Sequence, residues 1–324
     1  MCTAISYKTN NHYFGRNLDI EIDYGQKIII MGRNFPLKFR AMPNINNHFA
    51  IIGTAVISDN YPLYFDATNE KGLSIAGLNF PNNAIYNQYN NDKDNITPFE
   101  FIPWILSMCK DTNEANTLIK RINFINISFS DQYPLSPLHW IISDNEKSIT
   151  VESVKDGIKV YENPVGVLTN NPTFDYHLTN LNNYMTISNK NPVNNFSEKL
   201  SLKPYSLGMG SLGLPGDMSS SSRFVKAVFT KYNSISSDEE NESISQFFHI
   251  LDSVSQPKGC TNVKDNKYEY TVYSSCCNTD KCIYYYKTYY CNQINAIEMK
   301  KENLNSDALL SYEMLNHQNI NYQN

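Results

Sequence analysis

The chain has 324 residues, of which 41% are hydrophobic and 18% charged, and its formal net charge at pH 7 is −5. This length buries a substantial core as one large domain or two ordinary ones, and scattered Lys and Arg residues without a basic stripe argue against nucleic-acid binding. No apolar run reaches the roughly 20 residues that span a bilayer, and the polar N-terminus lacks a secretory pattern. We therefore expect a cytoplasmic protein that does not associate with membranes.

The first twenty residues predict a β-hairpin. CTAISY alternates like a strand, KTNNH is a turn signal, and YFGRNLD returns. A turn centred near Asn10 places residues 18 and 19 opposite Cys2. Arg16 and Asp19 are three positions apart and fall on opposite faces of a regular strand. Both can serve one site near Cys2 only if the strand has a bulge or an irregular end; otherwise they form a surface ion pair worth at most about 1 kcal/mol.

The middle of the chain alternates between groups of strands and pairs of helices. Strand patterns are QKIIIM, FAIIGTAVI, LSIAGLN, LHWIISD, SITVESV, IKVYE, EYTVYSS and KCIYYYKTYY. Helical patterns are FEFIPWILSMC, EANTLIKRI, RFVKAVFTKY and SISQFFHILDSV, the third with Ser221 or Ser222 as a candidate N-cap. Runs of strands separated by helix pairs favour an α+β fold with antiparallel sheets covered by helices.

Two motifs suggest chemistry that their context argues against. GMGSLG, at residues 208–213, matches the dinucleotide-binding pattern but is followed by LPGDMSSSS, whereas a nucleotide site needs a strand before it and a helix after it. We predict a glycine-rich loop. The seven cysteines are an odd number, and the cluster Cys276, Cys277 and Cys282 lacks the paired knuckles of a zinc site. We predict buried free thiols there.

Cys2 is the most informative residue of the chain. If Met1 is removed, Cys2 carries both a thiol and a free α-amine. The thiolate is a strong nucleophile, and the amine can accept the thiol proton, as an N-terminal amine does for catalytic threonine. Such a residue suits acyl transfer from an amide.

Several segments, in order, resemble the choloylglycine hydrolase family of N-terminal-nucleophile hydrolases, which comprises bile salt hydrolases and penicillin V acylases. They are MCTAI, FGRNLDIE, NEKGLSIAGLNFP, LHWIISD, VLTNNPTFD, GLPGDMSSSSRF and NQINAI. The resemblance extends from Cys2 to about Ile297. It implies an α+β fold, a four-layer αββα sandwich with two stacked antiparallel sheets, formed by residues 1–324 as one domain after loss of Met1.

The resemblance also assigns catalytic roles. Cys2 matches the nucleophile, Arg16 and Asp19 the pair that supports its thiol and amine, and Asn79 and Asn170 the oxyanion and amine-positioning asparagines. Arg223 matches the active-site arginine. The implied reaction passes through an acyl-thioester on Cys2 and needs no metal or organic cofactor. Read without the resemblance, the two asparagines are turn residues that precede prolines, and Arg223 is a surface residue in the first turn of a helix.

The resemblance favours bile salt hydrolases, because Asn79 stands where penicillin V acylases more often have Tyr. The expected reaction cleaves the amide of glycine- or taurine-conjugated bile salts. The alternatives are a penicillin V or N-acyl homoserine lactone acylase and a non-enzymatic binding protein on the same fold. The substrate cleft is expected to be lined by five residues, with serine where a bulky aromatic residue is usual: Leu18, Ser58, Phe129, Tyr133 and Leu138. Residues 191–218 resemble the extended loop that joins subunits in family homotetramers.

Overall fold

The computed structural model describes residues 1–324. The strands are β1 (Cys2–Lys8), β2 (His12–Ile20), β3 (Lys27–Met31), β4 (Ile51–Ser58), β5 (Tyr61–Asn69), β6 (Ser74–Asn79), β7 (Asp94–Ile96), β8 (Ile122–Phe124), β9 (Leu138–Ser143), β10 (Ser148–Val154), β11 (Gly157–Glu162), β12 (Val167–Leu168), β13 (Thr261–Lys264), β14 (Lys267–Asn278), β15 (Ile283–Thr288), β16 (Cys291–Glu298) and β17 (Leu309–Tyr312). The α-helices are α1 (Phe101–Met108), α2 (Thr112–Ile119), α3 (Phe174–Asn180), α4 (Ser220–Asn233) and α5 (Glu240–Asp252).

Two large antiparallel sheets organise the molecule. The first has the strand order β12-β1-β2-β14-β15-β16, with β13 paired to β14, and the second has the order β11-β10-β9-β6-β5-β4-β3-β17. A small parallel pair, β7 and β8, lies apart from both. The predicted hairpin therefore occupies the first sheet next to β14, a strand from the far end of the chain.

The sheets are stacked face to face, and helices cover their outer sides. Helices α4 and α5 contact the first sheet, α1 contacts the second, and β1 and β2 contact β6 across the interface. Strand β3 shows the consequence for the sequence: Ile28 and Ile30 belong to one apolar core, and Ile29 and Met31 to the other. Because successive side chains of a strand point to opposite faces, an uninterrupted apolar run fits a strand that is covered on both sides. The predicted αββα fold is confirmed.

Most predicted elements are present, but their limits differ and one central strand, β5, was not predicted. Every predicted strand stretch overlaps a strand. Strand β5 was not predicted, because YPLYFDATN contains a proline and three polar residues, Asp66, Thr68 and Asn69. Those polar residues are buried and hydrogen-bonded, as when Asn69 donates to the carbonyls of Leu106 and Cys109. Helix α4 is capped by Ser219, whose hydroxyl accepts from the amide of Ser222, so the predicted caps lie inside the helix.

The structure agrees with the predictions of a glycine-rich loop at residues 208–213 and of buried free thiols. Residues 208–213 form a loop with a short 3-10 turn, and Gly208 and Gly213 have φ angles of 82° and 94°, which favour glycine. Cys276, Cys277 and Cys282 are free and buried. None of the helices combines the length and the apolar character needed to span a membrane.

Candidate active site

The register of the hairpin sets the position of Cys2. Cys2 pairs with Leu18 and Ala4 pairs with Arg16, and the ladder between β1 and β2 runs without a shift. The irregularity lies instead on β14, where Thr271 pairs with Asp19 and Tyr273 with Leu18. The bulge expected within the hairpin is thus absent. Arg16 and Asp19 approach the end of β1 from opposite sides of the sheet.

On one side, Arg16 connects the two sheets. Its guanidinium Nη1 donates to the main-chain carbonyls of Gly77 at 2.5 Å and Phe65 at 3.0 Å, both in the second sheet. Its Nη2 is buried without a partner. On the other side, the Asp19 carboxylate accepts a hydrogen bond of 2.6 Å from the Thr271 hydroxyl, and its second oxygen is buried without a partner.

The main-chain nitrogen of Cys2 is held by Asn170. It donates to Oδ1 of Asn170 at 2.8 Å, and Cys2 itself is 2% exposed. With Met1 in place, the terminal ammonium lies 2.5 Å from the Asp19 carbonyl and 2.7 Å from Oε1 of Glu269. Removal of Met1 turns the nitrogen held by Asn170 into an α-amine.

Arg223 clamps this arrangement from helix α4. Its Nη1 donates to the Cys2 carbonyl at 2.5 Å and to the Thr3 hydroxyl at 2.7 Å, and its Nη2 donates to Oδ1 of Asn170 at 2.7 Å. The side chain is 1% exposed, so Arg223 is not the surface residue that its place in the first helical turn suggested. Its hydrogen bonds fix the strand end and the asparagine together.

Asn79 lies beside this cluster at the end of β6. Its carbonyl accepts a hydrogen bond of 2.7 Å from Nδ2 of Asn170, so both ends of the Asn170 amide are occupied. The Asn79 side chain is exposed and has no hydrogen-bond partner within the chain. Asn170 therefore suits amine positioning, while the free amide of Asn79 suits donation to an oxyanion.

Burial and mutual charge set the protonation of these groups. Burial raises the pKa of Asp19, although Arg223 and the terminal ammonium oppose that rise. Burial lowers the pKa of Arg223. Burial also acts to lower the pKa of Arg16, but the neighbouring acidic groups, with the Cys2 thiol foremost, outweigh it, and the net shift is upward. Arg16 therefore stays cationic.

An apolar cavity of about 200 Å³ adjoins the site. Phe65 and Gly77, whose carbonyls hold Arg16, form part of its wall. Three of the five residues expected to bind substrate also line it, namely Phe129, Tyr133 and Leu138. The other two are elsewhere: Leu18 is a buried core residue paired with Cys2, and Ser58 ends β4 opposite Tyr61.

A larger cavity of about 680 Å³ lies at the opposite end of the hairpin, around Lys8 and His12. Only three of its 20 lining residues are hydrophobic. Ligand sites for apolar molecules are lined mostly by hydrophobic and aromatic side chains, so the smaller cavity beside Arg16 is the better candidate.

Three residues that support the site could not be identified from the sequence. Thr271 holds Asp19, Glu269 faces the N-terminus, and the Ser220 hydroxyl accepts from the amide of Asn170 at 2.8 Å. Thr271 and Glu269 lie in the predicted strand EYTVYSS, but nothing in that stretch shows that it pairs with β2. Their positions follow from a contact over about 250 residues, such as the 252 positions between Asp19 and Thr271.

The chain is similar in sequence and fold to several known proteins. The chain is 57% identical over 314 residues to a bile salt hydrolase/transferase of Lactiplantibacillus plantarum, covering 97% of each chain. Its fold matches the C2A mutant of conjugated bile acid hydrolase from Clostridium perfringens with a TM-score of 0.93 and 38% identity over the whole of both chains. Penicillin V acylase from Agrobacterium tumefaciens shares the fold, with a TM-score of 0.74 at 22% identity over 96% of this chain and 91% of the acylase.

The family model of linear amide C–N hydrolases, choloylglycine hydrolase family, matches residues 2–312, from the residue held by Asn170 to the last strand of the second sheet. Since that match spans nearly the whole chain, including both sheets and every element of the site, the chain belongs to the choloylglycine hydrolase family of linear amide C–N hydrolases.

Proposed function

We propose that this enzyme hydrolyses the amide bond of glycine- or taurine-conjugated bile salts, releasing the bile acid and the amino acid. The observation that carries the proposal is the 2.8 Å hydrogen bond from the Cys2 nitrogen to Asn170, beside an apolar cavity. Curated relatives at 57% and 39% identity are named bile salt hydrolase/transferase. An apolar wall with a few polar groups at one end suits a steroid that carries a polar amide.

In the proposed mechanism, the Cys2 amine takes the thiol proton, and the sulfur attacks the amide carbonyl. The side-chain amide of Asn79 donates to the oxyanion, while Arg16 stabilises the thiolate. The amine delivers the proton to the leaving nitrogen, the C–N bond breaks, and an acyl-thioester remains. The same amine then activates water, which cleaves the thioester and restores the thiol. Asn170 and Asp19 hold the amine throughout, and Arg223 holds Asn170.

The experiment that tests this function is a product assay with the chain lacking Met1. Taurocholate, glycocholate, penicillin V and an N-acyl homoserine lactone are compared at equal concentration, and the free amine or amino acid is measured. We expect turnover of both bile salts to exceed that of the other amides by at least tenfold, with Cys2→Ala as the blank. Faster cleavage of penicillin V or of the lactone would assign the enzyme to the acylase alternative.

We also propose that the single catalytic domain of residues 1–324 assembles as a homotetramer through residues 191–218. Many of the large apolar side chains in and near this segment are exposed to solvent, among them Met185, Phe196, Tyr205 and Leu207, each at 82% or more. Exposed apolar side chains concentrated on one segment, here called the apolar strap (residues 191–218), are typical of a protein interface. The cytoplasm is the proposed location, because all seven cysteines are free thiols.

A further inference from the structure

Both the guanidinium group and the main-chain amide of Arg16 are connected to residues 65 and 66 of β5. Its guanidinium donates to the Phe65 carbonyl at 3.0 Å, and its main-chain amide donates to the Ser275 hydroxyl at 3.1 Å. The Ser275 hydroxyl in turn donates to Oδ2 of Asp66 at 3.1 Å. Asp66, the residue after Phe65, is thus linked to both the main chain and the side chain of Arg16. No role was assigned to it from the sequence.

The hydrogen-bond partners of Asp66 favour its ionised form, against the effect of burial. It is 2% exposed, and Tyr273 donates to its Oδ1 at 2.5 Å while Tyr284 donates to its Oδ2 at 2.6 Å. With Ser275, three hydroxyl groups donate to this one carboxylate. Burial raises the pKa of Asp66, and Arg16 is the strongest of the influences that oppose the rise. A buried carboxylate that accepts three hydrogen bonds is stabilised as an anion, so Asp66 and Arg16 support each other's charge.

Charged groups from three layers of the fold surround Cys2. From the first sheet, the main-chain carbonyl of Asp19 and the carboxylate of Glu269 contact the Met1 ammonium, and the Cys2 thiol is the strongest of the acidic groups that raise the pKa of Arg16. From the helix layer, Arg223 faces the Cys2 carbonyl. From the second sheet, Asp66 is the acidic group.

The phenols of Tyr273 and Tyr284 remain neutral, because burial holds the pKa of each well above its ordinary value. Among the acidic groups that raise the pKa of Arg16, Asp66 is the one that belongs to the second sheet.

We propose that Asp66 is a positioning residue of the amidase reaction: its fixed negative charge, held by Tyr273, Tyr284 and Ser275, orients Arg16 and limits how strongly Arg16 stabilises the Cys2 thiolate. If Arg16 acted without this counter-charge, the thiolate would be too stable, and its nucleophilicity would fall with its basicity.

The test is Asp66→Asn, which removes the charge and keeps the shape. The rate of Cys2 alkylation by iodoacetamide is followed across pH by mass spectrometry of the N-terminal peptide, in protein lacking Met1. We expect the pH of half-maximal alkylation to fall by about one unit, because an anion near a thiolate disfavours it. The exposed thiol of Cys260 is alkylated in the same sample and serves as an internal control, and its pH of half-maximal alkylation should not shift.

A second variant tests the same charge without replacing Asp66 itself. Tyr273→Phe removes one hydroxyl donor from the Asp66 carboxylate and so disfavours its charged form, and the Cys2 midpoint should fall, as it does in Asp66→Asn. Thr54→Val is the matched control, since Thr54 bonds the Tyr284 hydroxyl at 2.7 Å and carries no charge; its midpoint should stay at the wild-type value.

Midpoints that are unchanged in both Asp66→Asn and Tyr273→Phe, with the two variants folded, would reduce Asp66 to a structural residue. The assay uses no bile salt, so its outcome does not depend on the proposed substrate. It depends only on Cys2 as the nucleophile.

Discussion

Arg16 and Arg223 are among the largest fully buried side chains of the chain, in company with tryptophans and phenylalanines. A buried cation is tolerated only when its hydrogen bonds and counter-charges are supplied, and removing one partner of such a cluster typically destabilises by about 3–5 kcal/mol. Arg223 has four acceptors, including the Met218 carbonyl at 3.0 Å. Arg16 keeps one unpartnered nitrogen. Unfilled hydrogen-bonding capacity on a buried charge is typical of a functional site.

Replacing the sulfur of Cys2 should remove the activity without removing the fold. A hydroxyl is a much weaker acid than a thiol, so the Cys2→Ser variant has a much weaker nucleophile at neutral pH. We expect loss of nearly all turnover of taurocholate, with a thermal midpoint close to wild type. The matched control is Cys260→Ser at an exposed thiol, which should retain full activity. Full activity in Cys2→Ser would refute the mechanism.

Asn79 tests the assignment of the oxyanion donor. Its side chain has no other partner in the chain, so Asn79→Ala removes only a donor to the reacting carbonyl. Losing one such donor typically lowers kcat by about 100- to 1,000-fold, with little change in unfolding temperature. Steady-state kinetics on glycocholate measure it, and Asn91→Ala, at an exposed loop position, serves as the control. A change confined to KM would indicate a role in binding only.

At the scale of elements, short segments with no apolar pattern of their own support the site. Helix α3, which was not predicted, carries His177, whose Nε2 donates to the Asn170 carbonyl at 2.8 Å. Its ring stacks on Phe224 of α4 with ring centroids 4.7 Å apart. Burial lowers the pKa of His177 from 6.5 to about 4. The neutral imidazole therefore joins α3, α4 and the strand end that holds Asn170.

His177 makes the stability of the fold depend on pH. The pKa of His177 is lower in the folded protein than in the unfolded chain, so the unfolded chain binds the proton first as pH falls. The contribution of the neutral His177 to the free energy of unfolding is therefore present above pH 6.5 and is lost as pH falls toward 4. The difference in unfolding free energy between wild type and His177→Asn should narrow by up to about 1.4 kcal/mol per pH unit in that window. Urea unfolding at several pH values measures it. His317→Asn, in the exposed C-terminal tail, should show no such narrowing.

At the scale of the whole molecule, the apolar strap on residues 191–218 should determine assembly. Phe196 and Tyr205 are 82% and 83% exposed, and burying such side chains against another subunit releases about 25 cal/mol per Å² of apolar surface. Changing both to Ser should convert a tetramer to smaller species, as read by light scattering on a sizing column. The control pair Ile320→Ser and Tyr322→Ser, in the exposed tail, should leave the mass unchanged. An unaltered mass in the strap variant would argue against this interface.

The sequence by itself indicated antiparallel sheets covered by helices and singled out Cys2 as the candidate nucleophile. Apolar runs such as QKIIIM predict strands covered on both faces, and the spacing about Asn10 set the pairing of Cys2 with Leu18, because these depend on local periodicity and turn chemistry. Tertiary structure alone decided which groups surround Cys2. Strand β5, which contains Asp66, was not predicted. Its buried polar residues are hydrogen-bonded by partners far along the chain, such as Tyr273, which is 207 positions from Asp66. A buried polar group is stabilised by whatever the fold brings to it, and no local pattern records that partner.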